Sequence, residues 1–335
     1  MEGRGNEVHL LIAFDLEGPL STQDNAYEVM GLIERGSELF ERISRYDDLL
    51  TLEGRPDYEP GDTLSLILPF LLAHGVTEDD IRHVSARAPL VPGARECIAQ
   101  LKSAGHKIVI ISTSYAPHAL NIAAQLDVPA DDVACTPAPL SEIRQCIGEA
   151  SCDIEYLRAW QNRILEIPLD NDDQLKRELD RFYWHELPQH PSGRALRAIK
   201  VVGGTRKVDA LQKFAQREGA IMEHVVAIGD SITDFKMLQA VEDGKGLAIV
   251  FNGNQYAIPY GTIGVAGMSL EAILPAISAF TCGGRDAVRE FVANQPNPED
   301  GPIYHWLPER AGYDDVLTMH KRFRAALRGR AAQLG

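Results

Sequence analysis

Two acidic pairs follow strongly apolar segments: Asp15 and Glu17 come directly after VHLLIAF, and Asp230 and Asp234 belong to GDSITD, directly after VVAI. Ser112-Thr113-Ser114 follows KIVII, and Lys207 lies upstream of VVAI. Hydrolysis of a phosphate ester asks for a nucleophile, a proton donor for the leaving oxygen, a cation to gather negative charge, and donors for the phosphoryl group. Each requirement has a candidate. The Asp15 carboxylate can attack phosphorus and form an aspartyl-phosphate. Glu17 can protonate the leaving oxygen and later deprotonate the hydrolytic water. Asp230 and Asp234, facing Asp15 across a sheet, make a hard oxygen site suited to Mg²⁺. Ser112 and Thr113, after a strand and before a helix, offer hydroxyls and backbone N–H groups to phosphate oxygens. Lys207 can reach both the Asp15 carboxylate and the phosphoryl group.

Taken one at a time, these residues have plainer readings. A chain with 48 acidic residues offers many Asp-x-Glu pairs. Asp230 or Ser231 could simply cap a helix, as could Ser112 and Thr113. A single lysine is usually a surface solubiliser, and Arg206 competes with Lys207 for its role. The weight rests on their order, each group at the end or flank of a suitable segment.

The elements that must position them follow from hydrophobic patterning. Near-continuous apolar runs over 8–14, 107–111 and 225–228 predict strands buried on both faces, with 247–251 and 263–265 as two more. Helical patterns over 94–104, 116–126, 207–218 and 232–241 alternate with them. Such alternation predicts an α/β fold with a parallel sheet, whose ligands sit at the carboxyl ends of the strands.

The interval between Asp15 and Ser112 is longer than the roughly 30 residues one crossover needs, so residues 25–88 are expected to form a helical cap. Its main pieces are 27–45 and 63–74, with turn-rich 53–61 between them. Asp24 and Asn25 are close enough in sequence to face the site, and Arg55 in this lid could meet a substrate carboxylate. A second surplus at about 137–200 predicts another helical elaboration. The expected organisation is a core of 1–24 and 89–285, a cap of 25–88, and a C-terminal helical extension of 286–335. That extension has a Pro-rich linker over 295–302 and a basic helix with Lys321, Arg322, Arg324 and Arg328, read as a solvated or subunit-packing face or as a contact for an acidic partner.

The sequence acid pair, hydroxyl, lysine, acid pair resembles the four motifs of the haloacid dehalogenase superfamily. PLVPGARECIAQLKSAGHKIVIISTS and LAIVFNGN are most similar to its phosphoserine phosphatase-like branch. The resemblance implies a Rossmannoid core with a cap inserted after the first strand. It implies Asp15 as nucleophile and metal ligand, Glu17 as acid/base whose backbone carbonyl also binds metal, and Ser112 on phosphate. Lys207 would bridge, Asp230 would ligate Mg²⁺ with Asp234 in support, and Asp24 would stand where an acid reads the substrate amine. Glu17 departs from the aspartate of most members, which makes phosphoryl transfer to a small alcohol a second reading. A DLEG start also occurs in the bifunctional phosphoserine phosphatase/homoserine phosphotransferase group. DLEGPLSTQDNAYE, YDDLLT, GDTLSLILPFL and STSY resemble an archaeal-type family named energy-converting hydrogenase A subunit R. That name implies an association, and with it a third reading as a non-catalytic assembly or regulatory module.

Bulk properties set the frame. The 335 residues, 45% hydrophobic and 24% charged, suit an ordinary globular protein of about two domains. A formal charge of −15 argues against a nonspecific nucleic-acid binder, which needs a Lys/Arg surface. The N-terminus has no apolar stretch of signal-peptide type, and no run approaches the roughly 20 residues of a membrane span. A cytoplasmic protein acting on a small phosphorylated metabolite is expected, with no membrane partner and with homo-oligomerisation left open. Cysteines 97, 135, 146, 152 and 282 form no CxxC pair and are read as buried, inert thiols.

Overall fold

The structure, a computed structural model, describes residues 9–148, 153–296, 301–309 and 312–333. Val8 of the first expected strand, Cys152 and residues 297–300 of the Pro-rich linker lie outside them.

The chain opens with β1 (Leu11–Phe14). Four helices follow: α1 (Asn25–Met30), α2 (Gly36–Leu52), α3 (Thr63–Ala73) and α4 (Glu78–Ser85). Next come α5 (Ala94–Ser103), β2 (Lys107–Tyr115), α6 (Ala116–Gln125) and β3 (Val133–Thr136). A second helical stretch holds α7 (Leu140–Ile147), α8 (Ile154–Leu165) and α9 (Asp172–Asp180). Then α10 (Thr205–Glu218), β4 (Val225–Gly229), α11 (Phe235–Asp243), β5 (Leu247–Phe251) and β6 (Ile263–Ala266) restore the alternation. The remaining elements are α12 (Leu274–Ala293), β7 (Ile303–Trp306) and α13 (Tyr313–Arg328).

The seven strands form one sheet in the order β3-β2-β1-β4-β5-β6-β7, parallel except for the antiparallel pair β6/β7. Its five central strands are the expected ones. Edge strands β3 and β7 add to them, and β7 puts a strand in an extension expected to be helical. From β1 the chain first builds β2 and β3 to one side and then crosses to β4 on the other, so β1 and β4 flank the topological switch point where α/β sheets bind ligands.

Side chains leave β1 alternately to opposite faces. Ile12 and Phe14 join a core with Ile98 of α5, Ile122 of α6 and Ile277 of α12, whereas Leu11 and Ala13 join one with Leu211 of α10, Met237 of α11 and Val316 of α13. Helices on both faces explain why these strands are apolar at every position.

A third core lies above the strand ends. It combines Phe40, Ile43, Tyr46 and Phe70 from the first inserted segment with Trp160, Leu175, Phe182 and Tyr183 from the second. Tyr46 and Tyr183 stack with ring centroids 6.0 Å apart. Arg45 forks onto Asp172 at 2.9 and 2.6 Å. Segments separately expected as cap and elaboration thus bury one another. The expected helix over 27–45 is two helices, broken between Met30 and Gly36, where Arg35 takes a left-handed φ of 53°.

Candidate active site

Register brings the distant groups to one level. Phe14 pairs with Ile110 on one side and Ile228 on the other, so Asp15 and Asp230 emerge just past the ends of β1 and β4, with Ser112 of the longer β2 close to their level. The Asp15 amide still donates to Ile228 O at 2.8 Å, which keeps the residue in line with the sheet.

Lys207, in the first turn of α10, is fully buried and donates to Asp15 Oδ1 at 2.6 Å and to Asp234 Oδ1 at 2.7 Å. Burial opposes its charge, but the two carboxylates more than offset that, and its pKa is raised. Arg206 instead turns to the cap, donating to Asp62 Oδ2 at 3.3 Å, so the lysine is the residue at the site.

Asp234 Oδ2 accepts the amides of Asp230 at 3.0 Å and Ser231 at 3.1 Å. That closes the GDSITD turn, so α11 begins at Phe235 and not at the expected 232. Asp230 and Ser231 are therefore not its caps. Ligand oxygens of Asp15, Asp230 and Asp234 lie within 4.8 Å of one another. With both oxygens of Asp234 engaged, it is the supporting member of the three. Asp230 Oδ1 is buried with no hydrogen-bond partner among the described residues. Burial, then the charge of Asp234, pushes the Asp15 carboxyl upward against the opposing pull of Lys207. A bound cation reverses the sign of such repulsion.

Glu17 sits just past the strand end. Its Oε1 accepts from Ser114 Oγ at 2.6 Å and Asn25 N at 2.9 Å. Burial, then the neighbouring Asp24, pushes its carboxyl up to about 8. Gly18, at φ 113°, makes the turn that follows, and a Cβ there would lie 2.2 Å from Asp230 Oδ2, so only glycine fits.

A cavity of about 80 Å³ opens in front of these groups, lined by Asp15, Glu17, Asp24, Ser112 to Ser114 and, from the cap, Phe40, Ser44 and Asp47. It is small beside the roughly 300–1,000 Å³ of drug-sized ligand pockets. β2 runs on to Tyr115, so Ser112 and Thr113 lie on extended strand and not, as expected, between a strand and a helix; neither caps α6. Ser112 Oγ accepts Ser114 N at 3.1 Å, and the buried Thr113 hydroxyl has no partner among the described residues.

Other sequence candidates are placed differently. Asp24 lines the cavity but also caps α1, accepting Tyr27 N at 2.9 Å. Asn25 contributes its backbone N–H, and its side chain is buried away from the lining. Arg55 does not face the cavity: it lies over the Trp184 ring at 4.3 Å and pairs with Asp180 at 3.3 Å. The turn 53–61 carries it outward to the seam with the second inserted segment. Cys146 and Cys282 are exposed, contrary to the buried thiols expected.

The basic helix holds the largest correction. Arg324 is 2% exposed and its guanidinium donates to Asp230 Oδ2, which also accepts from Arg328 Nη1 at 3.0 Å. Both arginines line the cavity. The signal was available: Val316, His320, Arg324 and Arg328 recur every four residues, one face of a helix, while Lys321 and Arg322 point to solvent. Charge alone suggested a solvated face. Ser114, which holds Glu17, was likewise not singled out.

Comparison with known proteins bears on the fold and on one segment of the sequence. Residues 172–257 match a family model described as haloacid dehalogenase-like hydrolase. Among solved structures, a gene product of Archaeoglobus fulgidus is 28% identical, covers 98% of this chain and 99% of its own, and has a TM-score of 0.85. A phospho-aspartyl intermediate analogue of phosphoserine phosphatase is 19% identical over 80% of this chain and 98% of its own, with TM-score 0.52. A substrate-bound phosphoserine phosphatase is 18% identical over 80% and 97%, also at 0.52. No curated protein matches the sequence. The fold is thus haloacid dehalogenase-like, and residues 172–257 are similar in sequence to hydrolases of that kind.

Proposed function

We propose that the protein is a Mg²⁺-dependent phosphatase that hydrolyses a small phosphomonoester through an aspartyl-phosphate on Asp15. The observation that carries this is the convergence of Asp15, Asp230 and Asp234 around the buried Lys207, at the switch point of the sheet. The residues fit a hard divalent cation. Their donors are carboxylate oxygens, and Asp230 Oδ1 is a buried acceptor with no donor among the described residues.

Asp15, Asp230 and the Glu17 carbonyl would hold the ion, which when bound supplies positive charge to the phosphoryl oxygens and offsets repulsion from the carboxylates. Lys207 keeps one Asp15 oxygen fixed and pulls the carboxyl toward its ionised form, against burial and the charge of Asp234. Ser112 and Thr113 offer hydroxyls to the phosphoryl group, including Thr113 Oγ1, which has no partner among the described residues. Glu17, whose proton burial retains, gives it to the leaving oxygen and takes one back from water in the second step. Asp24 beside it reads a positive group on the substrate. The size of the cavity favours a small phosphorylated metabolite, in keeping with a cytoplasmic setting.

The longer side chain of Glu17, where most members of the resembled superfamily have aspartate, motivates one variant of this chemistry, transfer to a small alcohol in place of water; added alcohols that leave the product distribution unchanged speak against it. The resemblance to the hydrogenase-subunit family adds no substrate or partner, and the comparisons lend it no support. Asp15→Asn tests the main proposal: Mg²⁺-dependent phosphate release across a panel of phosphorylated amino acids, sugars and nucleotides is expected to vanish. Undiminished turnover removes Asp15 from its role.

A further inference from the structure

We propose that Arg324 and Arg328 of α13 are positioning residues for Asp230, holding one carboxylate oxygen so that the other is presented to the divalent cation. This rests on the metal-dependent function proposed above. The two oxygens of Asp230 have opposite surroundings: Oδ2 accepts from both guanidiniums, whereas Oδ1 is buried and unpartnered among the described residues. A buried acceptor left unmade is costly, more so when charged. The arrangement therefore calls for an occupant at Oδ1, and two donors on Oδ2 fix the plane that aims it.

The clamp is itself anchored. Arg324 Nε donates to Ala332 O at 3.0 Å, and Arg328 Nε to Thr22 O at 3.4 Å. Backbone from the loop after β1 and from the terminal turn after α13 thus sets both guanidiniums before any ligand arrives. The helix is seated by Val316 and Phe323 in the apolar cores, with β7 fixing its approach along β6. An arginine fork can engage a carboxylate and a carbonyl together, which a lysine point charge cannot.

Partners behind a metal-binding side chain orient it, and losing one typically costs about 10–100-fold in metal affinity. Isothermal titration of full-length protein with Mg²⁺ alone tests the proposal, with circular dichroism to verify folding. Arg324→Gln is expected to weaken Mg²⁺ binding about 10–100-fold. Arg324→Lys should recover only part of that, since it restores charge without the fork. At saturating Mg²⁺, the substrate KM of the folded variants should change less than the Mg²⁺ Kd. Arg328→Gln, farther out along the same clamp, keeps the test open should the Arg324 variants fail to fold. Equal Mg²⁺ affinity in wild type and folded variants overturns the clamp alone. Tighter binding by the variants also overturns it, because the guanidiniums would then be competitors for Asp230. Absence of Mg²⁺ binding by wild type overturns the metal reading and the clamp with it.

Discussion

Glu17 keeps its proton because burial, and then the charge of Asp24, disfavour the carboxylate, placing its pKa at about 8. The acid form is needed in the first step and is present below that value. The rate of phosphate release is therefore expected to fall as pH rises through about 8. Asp24→Asn removes the second cause and should move that alkaline limb to lower pH; a limb that stays in place contradicts the coupling. Lys207 makes a different prediction. Its removal in Lys207→Met leaves Asp15 and Asp234 buried without their counter-charge, a loss worth about 3–5 kcal/mol where one partner of a buried pair is deleted. Urea denaturation of the metal-free protein reads it out. These residues were legible because each follows or flanks an apolar strand or helix. Arg324 and Arg328 were not, since sequence shows their charge and helical spacing but not which surface that helix covers.

At the scale of elements, Asp47 on α2 organises the loop that carries the cap toward the site. It accepts Tyr58 Oη at 2.5 Å, Gly61 N at 3.0 Å and Thr63 N at 3.2 Å. Asp47→Ala strands these donors and is expected to destabilise the protein by about 1–3 kcal/mol; a change in thermal midpoint within error would contradict that accounting. Central strands were readable because both faces are buried and the apolar run is unbroken. Edge strands were not: VACT is half-exposed along most of its length, and IYHW carries a histidine and follows a Pro-rich stretch. Boundaries shifted where side chains bind backbone, as at GDSITD, where Asp234 uses the turn amides and delays α11.

The whole molecule depends on two insertions that share a core. Tyr183 Oη donates to Leu66 O at 3.0 Å, and Trp184 Nε1 to Tyr46 Oη at 2.7 Å, so polar as well as apolar contacts cross the seam. Deleting residues 137–200 should expose Phe40, Ile43 and Phe70, and the product is expected to bind a hydrophobic dye strongly. A deletion variant that stays monomeric and dye-negative would show that the first segment folds unaided. Length revealed both insertions in the sequence, but neither pattern said that they pack on each other, because partner choice is a tertiary fact. The cap is tied to the core through Lys236 Nζ on Glu59 at 2.8 Å and to the C-terminal turn through Arg330 and Glu41, so cap, core and terminal helix enclose one small site. Among the described residues no helix is long and apolar enough to cross a membrane. Whether that enclosed site works through Asp15 is tested most directly by quenching the protein during turnover, reducing it with borohydride and mapping the product by peptide mass spectrometry. The account predicts homoserine at position 15; continued phosphate release with Asp15 unreduced, or reduction at another carboxylate, would contradict it.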